Sequence, residues 1–144
     1  MANIFESVSI KTLTAPVNST GTVTSSSVDV SGYTGSAFYV HYGDSADTLA
    51  AGLYWEAKLK ECATSGGTFT DVSSDDISTD TNAFGLVNAP TEDQAVFGVR
   101  YLGSQKFVKV EVTATGSHSS GTPIGLFCAL GLPRSQTSDQ PTDP

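Results

Sequence analysis

Cations are scarce in this chain. Seven Lys and Arg stand against fifteen Asp and Glu among 144 residues, a formal net charge of −8. Phosphate binding needs clustered positive charge, so this balance sets nucleic acid aside as a partner. The acidity keeps a small domain dispersed; in a sharper reading it draws the chain to a basic protein surface. Long apolar runs are also missing. No segment approaches the roughly 18 residues of a membrane span, and the first six residues lack the basic region and apolar run of a signal peptide, so neither membrane insertion nor secretion is expected. Without a secretory route, the Asn18-Ser19-Thr20 sequon reads as a polar turn.

Two cysteines, Cys62 and Cys128, are too few for a staple framework and have no CxxC partner, which leaves zinc and thiol redox chemistry unsupported. They could pair only if their strands are neighbours with suitable Cβ geometry. The alternative is two small buried hydrophobes, and the apolar run at 124–130 favours it for Cys128. Only 15% of the residues are charged, while Gly, Ser and Thr abound, a composition foreign to helices. One domain of ordinary size fits the length.

What is present is strand after strand. Leu53, Trp55, Ala57 and Leu59 alternate with Tyr54, Glu56, Lys58 and Lys60, the pattern of a half-buried strand. The glycines at 66 and 67 then return the chain into 68–72 as a hairpin. Further strands are expected over 5–13, ending at Ala15-Pro16, over 20–30, and over 36–42, where both faces are apolar and a central place in a sheet follows. Extended segments at 83–87, 94–102, 105–114 and 123–130 complete the set, with Gly103-Ser104 as a hairpin signal between two of them. Residues 44–51 form a polar connection with room for one helical turn. About eight strands without an amphipathic helix predict an all-β, antiparallel β-sandwich, jelly-roll-like, over residues 1–131. Residues 132–144 have almost no apolar content and read as an extended tail.

Catalytic chemistry finds few candidates. His41 lies in an aromatic strand and His118 in a Ser-rich surface turn without a nucleophile elbow. Glu56 and Glu61 point to opposite faces of one strand, and no pocket signature accompanies Asp75, Asp76 and Asp80. That acidic loop could hold calcium, but it lacks the spacing of an EF-hand. Tyr33, Tyr39, Tyr42, Tyr54, Trp55 and Tyr101 could form a sugar-stacking platform, or simply pack the core. No glycine-rich loop leads from a strand into a helix, so no phosphate cradle is expected. The chain reads as a non-enzyme without cofactor or metal.

The strand at 54–59, the turn at 66–72, the strands at 97–101 and 106–110, and the ending from Gly121-Thr-Pro-Ile-Gly125 to Leu130-Gly-Leu-Pro133 together resemble a group of small tailed-bacteriophage structural proteins, often of the capsid decoration or cement type. The resemblance implies a small β-sandwich made in the host cytoplasm. It would bind the exterior of the assembled head as a homotrimer, with the major capsid protein as partner and no nucleic acid or membrane involved. Residues 1–6 would then be an N-terminal arm, with Ile4, Phe5, Leu132, Pro133 and Arg134 as contact residues. A tail or neck component of the virion fits the same strand pattern, and a carbohydrate-binding module is the alternative from another class.

Overall fold

The computed structural model describes residues 8–79 and 81–131. Ile4, Phe5, Leu132, Pro133 and Arg134, the proposed arm and the tail all lie outside them, as does Asp80 of the acidic loop. Two antiparallel sheets face each other with the apolar side chains between them. The first has the order β1 (Val8–Ser19), β10 (Thr122–Gly131), β4 (Ser36–Tyr42), β8 (Ala95–Tyr101). The second is built on β9 (Phe107–Thr115) and β5 (Tyr54–Cys62), which pair along nine residues. On its outer side β9 carries the two-residue strands β2 (Val23–Thr24) and β3 (Val28–Asp29) in tandem, and β5 carries β6 (Thr70–Asp71) and β7 (Ala83–Val87). Counting each tandem as one broken strand gives eight strands, close to the roughly eight expected, although the segments at 68–72 and 83–87 prove to be two parts of one tandem.

Alternation fixes which residues enter the core. Phe38, Val40 and Tyr42 point inward from β4, and Trp55, Ala57 and Leu59 from β5. Val108, Val110 and Val112 do so from β9, and Ile124, Leu126, Cys128 and Leu130 from β10. As expected, β4 lies inside its sheet, between β10 and β8.

Four local expectations are corrected. Residues 94–102 and 105–114 do not form a hairpin: Gly103-Ser104 carries the chain from β8 in one sheet to β9 in the other, where each pairs with a strand remote in sequence. The first strand does not stop at Pro16. An edge strand tolerates proline on its open side, and β1 runs on to Ser19 through two register shifts. The 20–30 strand is interrupted, because Ser25 turns both backbone and side chain onto β9, its N–H to Val110 O at 2.9 Å and its Oγ accepting from Val110 N at 2.9 Å. No helical turn forms at 44–51; a 3-10 turn occurs instead at Ser74–Asp76, capped by the Ser73 side chain.

A bulge in β7 serves the core directly. The β5–β7 register shifts between Trp55 and Ala57, and Gly85 takes up the irregularity at φ +64. Its carbonyl, turned inward, receives the Tyr42 hydroxyl at 2.8 Å.

Candidate functional site

Two candidate histidines end in different places. His41 is exposed on the outer face of β4. His118 is not in a surface turn, since its side chain is fully covered and lies against Trp55 with ring centroids 4.3 Å apart. Its Nε2 is 3.1 Å from Thr115 O and 3.3 Å from Tyr54 O, and its Nδ1 is 3.8 Å from Asp47 Oδ2. A Ser-His-Asp relay does not follow, because the Ser119 hydroxyl donates to Asp47 rather than to the imidazole. Asp47 also accepts from Ser120 N and Gly121 N, at 3.0 and 2.7 Å. Those backbone N–H groups, Ser120 first and Gly121 next, hold its carboxyl below the usual range against the opposing effect of burial. The cluster pins the 116–121 loop to residues 45–47. Ser45 completes it by accepting from Thr122 Oγ1, itself the acceptor of the Trp55 indole N–H at 3.0 Å.

The remaining candidates are scattered. Glu61 accepts the Tyr101 hydroxyl at 2.6 Å while Glu56 faces outward. Asp75 and Asp76 sit in the 3-10 turn, and among the described residues no three His, Cys, Asp or Glu side chains converge as metal ligands. Both cysteines are free, Cys128 in the first sheet and Cys62 in the second. Burial pushes the Cys128 thiol up, whereas Cys62 is half-buried rather than a core residue. The six-aromatic platform does not assemble: Trp55, Tyr42 and Tyr101 are in the core.

The feature that does stand out is the contrast between the two outer faces. The β5–β9 sheet turns Glu56, Lys58, Lys60, Lys109 and Glu111 outward. These charges are largely satisfied among themselves and with Asp71, through Lys60 at 2.9 Å and Lys58 at 3.3 Å from its oxygens and Lys60 at 3.7 Å from Glu111. Asp71 is held below the usual carboxyl range chiefly by Lys60, with Lys58 assisting against burial. Such pairs add little stability but leave the face polar and self-contained.

The four strands of the other sheet contain no Asp or Glu at all, and only Lys11 and Arg100 among them are charged at neutral pH. Their outward side chains form three rows set by the ladder register. Ile10, Ala129, Ala37 and Arg100 make the first. Thr12, Phe127, Tyr39 and Gly98 make the second, in which Phe127 and Tyr39 stack in parallel at 5.0 Å. Tyr39 lies so close over Gly98 that a Cβ there would fall 2.5 Å from its ring. Pro16, Gly125, His41 and Val96 make the third, Pro16 covering Gly125 from the side. An aromatic ridge thus runs between two shallow troughs. Ile10 and Val96 at its corners are 63% and 52% exposed. Large exposed apolar side chains in a carboxylate-free patch, with aromatics and one Arg, have the composition of a protein contact surface.

No family model matches the chain, and no curated protein matches it. Solved structures that align with it include the SPBc2 prophage-derived protein YomS, with a TM-score of 0.49 and 12% identity over 90% of this chain and 96% of that one. The tripod (BppUct-A-L) from the baseplate of bacteriophage Tuc2009 aligns with a TM-score of 0.42 and 14% identity, over 92% of this chain and 68% of that one. The infectious bursal disease virus VP2 subviral particle gives 0.27 and 15%, over 92% and 43%.

Proposed function

We propose that this chain is a structural protein of a tailed-bacteriophage virion, and within it a capsid decoration protein that adheres to the outside of the assembled head and bridges its subunits without enzymatic activity. The observation that carries the reading is the division of the surface: one sheet face is charged and internally paired, the other free of carboxylates, aromatic and open. A sandwich of this kind has one adhesive side and one solvated side, as a protein laid on a shell requires. The resemblance in strands and turns points the same way. So does the strand order: with each tandem counted once, the first strand pairs with the eighth and the two sheets interleave early and late strands, the arrangement of a jelly roll.

The mechanism is linkage. A protein that binds the closed shell and not its dissociated subunits stabilises the shell by the free energy of binding. Assembly as a trimer would join three footprints in one unit and raise their effective concentration. Ile4, Phe5, Leu132, Pro133 and Arg134 would extend such a footprint, because the described residues nearest to them in sequence, Val8 and Gly131, are register partners at one corner of the adhesive sheet.

Co-sedimentation with purified empty heads tests the proposal. The wild-type chain is expected to saturate the heads, and replacing both Tyr39 and Phe127 by Ser is expected to weaken binding by about tenfold or more, as loss of a central aromatic pair does. The double variant should still fold, with a melting temperature lowered only by loss of the cross-strand ring pair, since both rings lie outside the core. Heads that take up no wild-type protein, or that bind the double variant equally well, would refute it.

A further inference from the structure

We infer that Arg100 receives a carboxylate from the partner surface on which the carboxylate-free face docks, with an apolar side chain of that partner seated in the adjoining trough. The inference deepens the proposed function and rests on its assignment of this face as the contact surface.

Four of the other cations in the described residues already have a use. Lys58 and Lys60 hold Asp71, Lys106 is 3.8 Å from Asp29, and Lys109 lies over the Phe69 ring at 4.3 Å. Arg100 has no ion pair among the described residues and is exposed. Its backbone is committed, N–H to Ser78 Oγ at 2.8 Å and carbonyl to Ser78 N at 3.1 Å, so the strand is held while the guanidinium remains open. Beside it the alanine row leaves a depression of about 220 Å³, bounded by Val8, Gly35, Ser36, Ala37, Ala129 and Gly131. A guanidinium at the rim of an apolar hollow has a planar fork suited to a bidentate carboxylate, and contact around it would exclude water and strengthen the pair.

Charge selects the occupant. A second copy docked on this face about a two-fold axis would present the same surface, which among the described residues offers Arg100 another guanidinium and no carboxylate. The complementary partner is therefore a different protein whose surface places an Asp or Glu beside an aliphatic or aromatic side chain.

The experiment measures binding of the wild type and of Arg100→Lys, Arg100→Gln and Arg100→Glu to purified heads and, separately, purified tails of the encoding phage, across a NaCl series. Lys109→Gln on the opposite face is the control. Gln is expected to weaken binding about tenfold and Glu more, with Lys intermediate, and the salt dependence should flatten in the Gln variant. Lys109→Gln should bind as wild type does. Wild-type affinity in both the Gln and Glu variants would overturn the inference. So would a wild-type oligomer in the absence of particles that Arg100→Glu dissolves, since the occupant would then be a second copy. Binding to tails alone with the same Arg100 dependence removes the head assignment and leaves this inference standing. Binding to neither particle removes both.

Discussion

Single residues in this sandwich matter most where a polar atom is buried with one partner. Trp55 is fully buried, and its N–H ends on the Thr122 hydroxyl, which in turn donates a hydrogen bond to Ser45 Oγ. Trp55→Phe removes the donor and part of the ring, and urea unfolding should show a loss of about 2 to 3 kcal/mol, from lost packing and an unmet acceptor together. Asp47 sets the pH response of the same corner. Its carboxyl is held low in the folded state, so the stability it contributes is present above the unfolded carboxylate value of about 3.9 and is lost as pH falls through the lower folded value. Thermal melts from pH 7 to pH 3 should therefore fall more steeply for the wild type than for Asp47→Asn. The variant should begin less stable at pH 7, because the uncharged amide binds the Ser120 and Gly121 N–H groups less well. The inward direction of Trp55 was legible in the alternation of its strand, but its hydrogen-bond partners and the burial of His118 were not. His118 sits among serines and glycines, which read as a solvent turn, and only the approach of a segment seventy residues earlier in the chain buries it.

Strands were legible where one face is apolar and the period is two. The segment 36–42 coincides with β4, and 83–87 with β7, because Phe38, Val40 and Tyr42, or Phe84 and Val87, must all enter one core. Pairing was legible only where a tight turn dictates it, as between β5 and β6. Gly103-Ser104 looks the same locally whether the chain folds back on its own sheet or crosses to the other; the choice is made by nonlocal partners, Ala37 to Tyr42 for β8 and Tyr54 to Cys62 for β9. The bulge at Gly85 yields a prediction at this scale. The positive φ excludes a strain-free side chain, and a Cβ would lie 2.8 Å from Val40 Cγ1. Gly85→Ala should cost about 2 kcal/mol or more in urea unfolding and should disturb the Tyr42 hydrogen bond, detectable as a change in the near-ultraviolet tyrosine signal.

For the molecule as a whole, composition was a sound guide to class and a poor guide to surface. The −8 balance reads as uniform acidity, yet the carboxylates avoid four strands altogether, and only the sheet order shows that those four lie side by side. The aromatics divide in the same manner. Three of the six proposed platform residues fill the interior, while Phe127, absent from that set, stacks with Tyr39 on the open face.

The strands of the β1-β10-β4-β8 sheet carry Lys11 and Arg100 and no carboxylate, so a polyanionic support meets no like charge on them. Adsorption through that sheet would cover Tyr39 and Phe127.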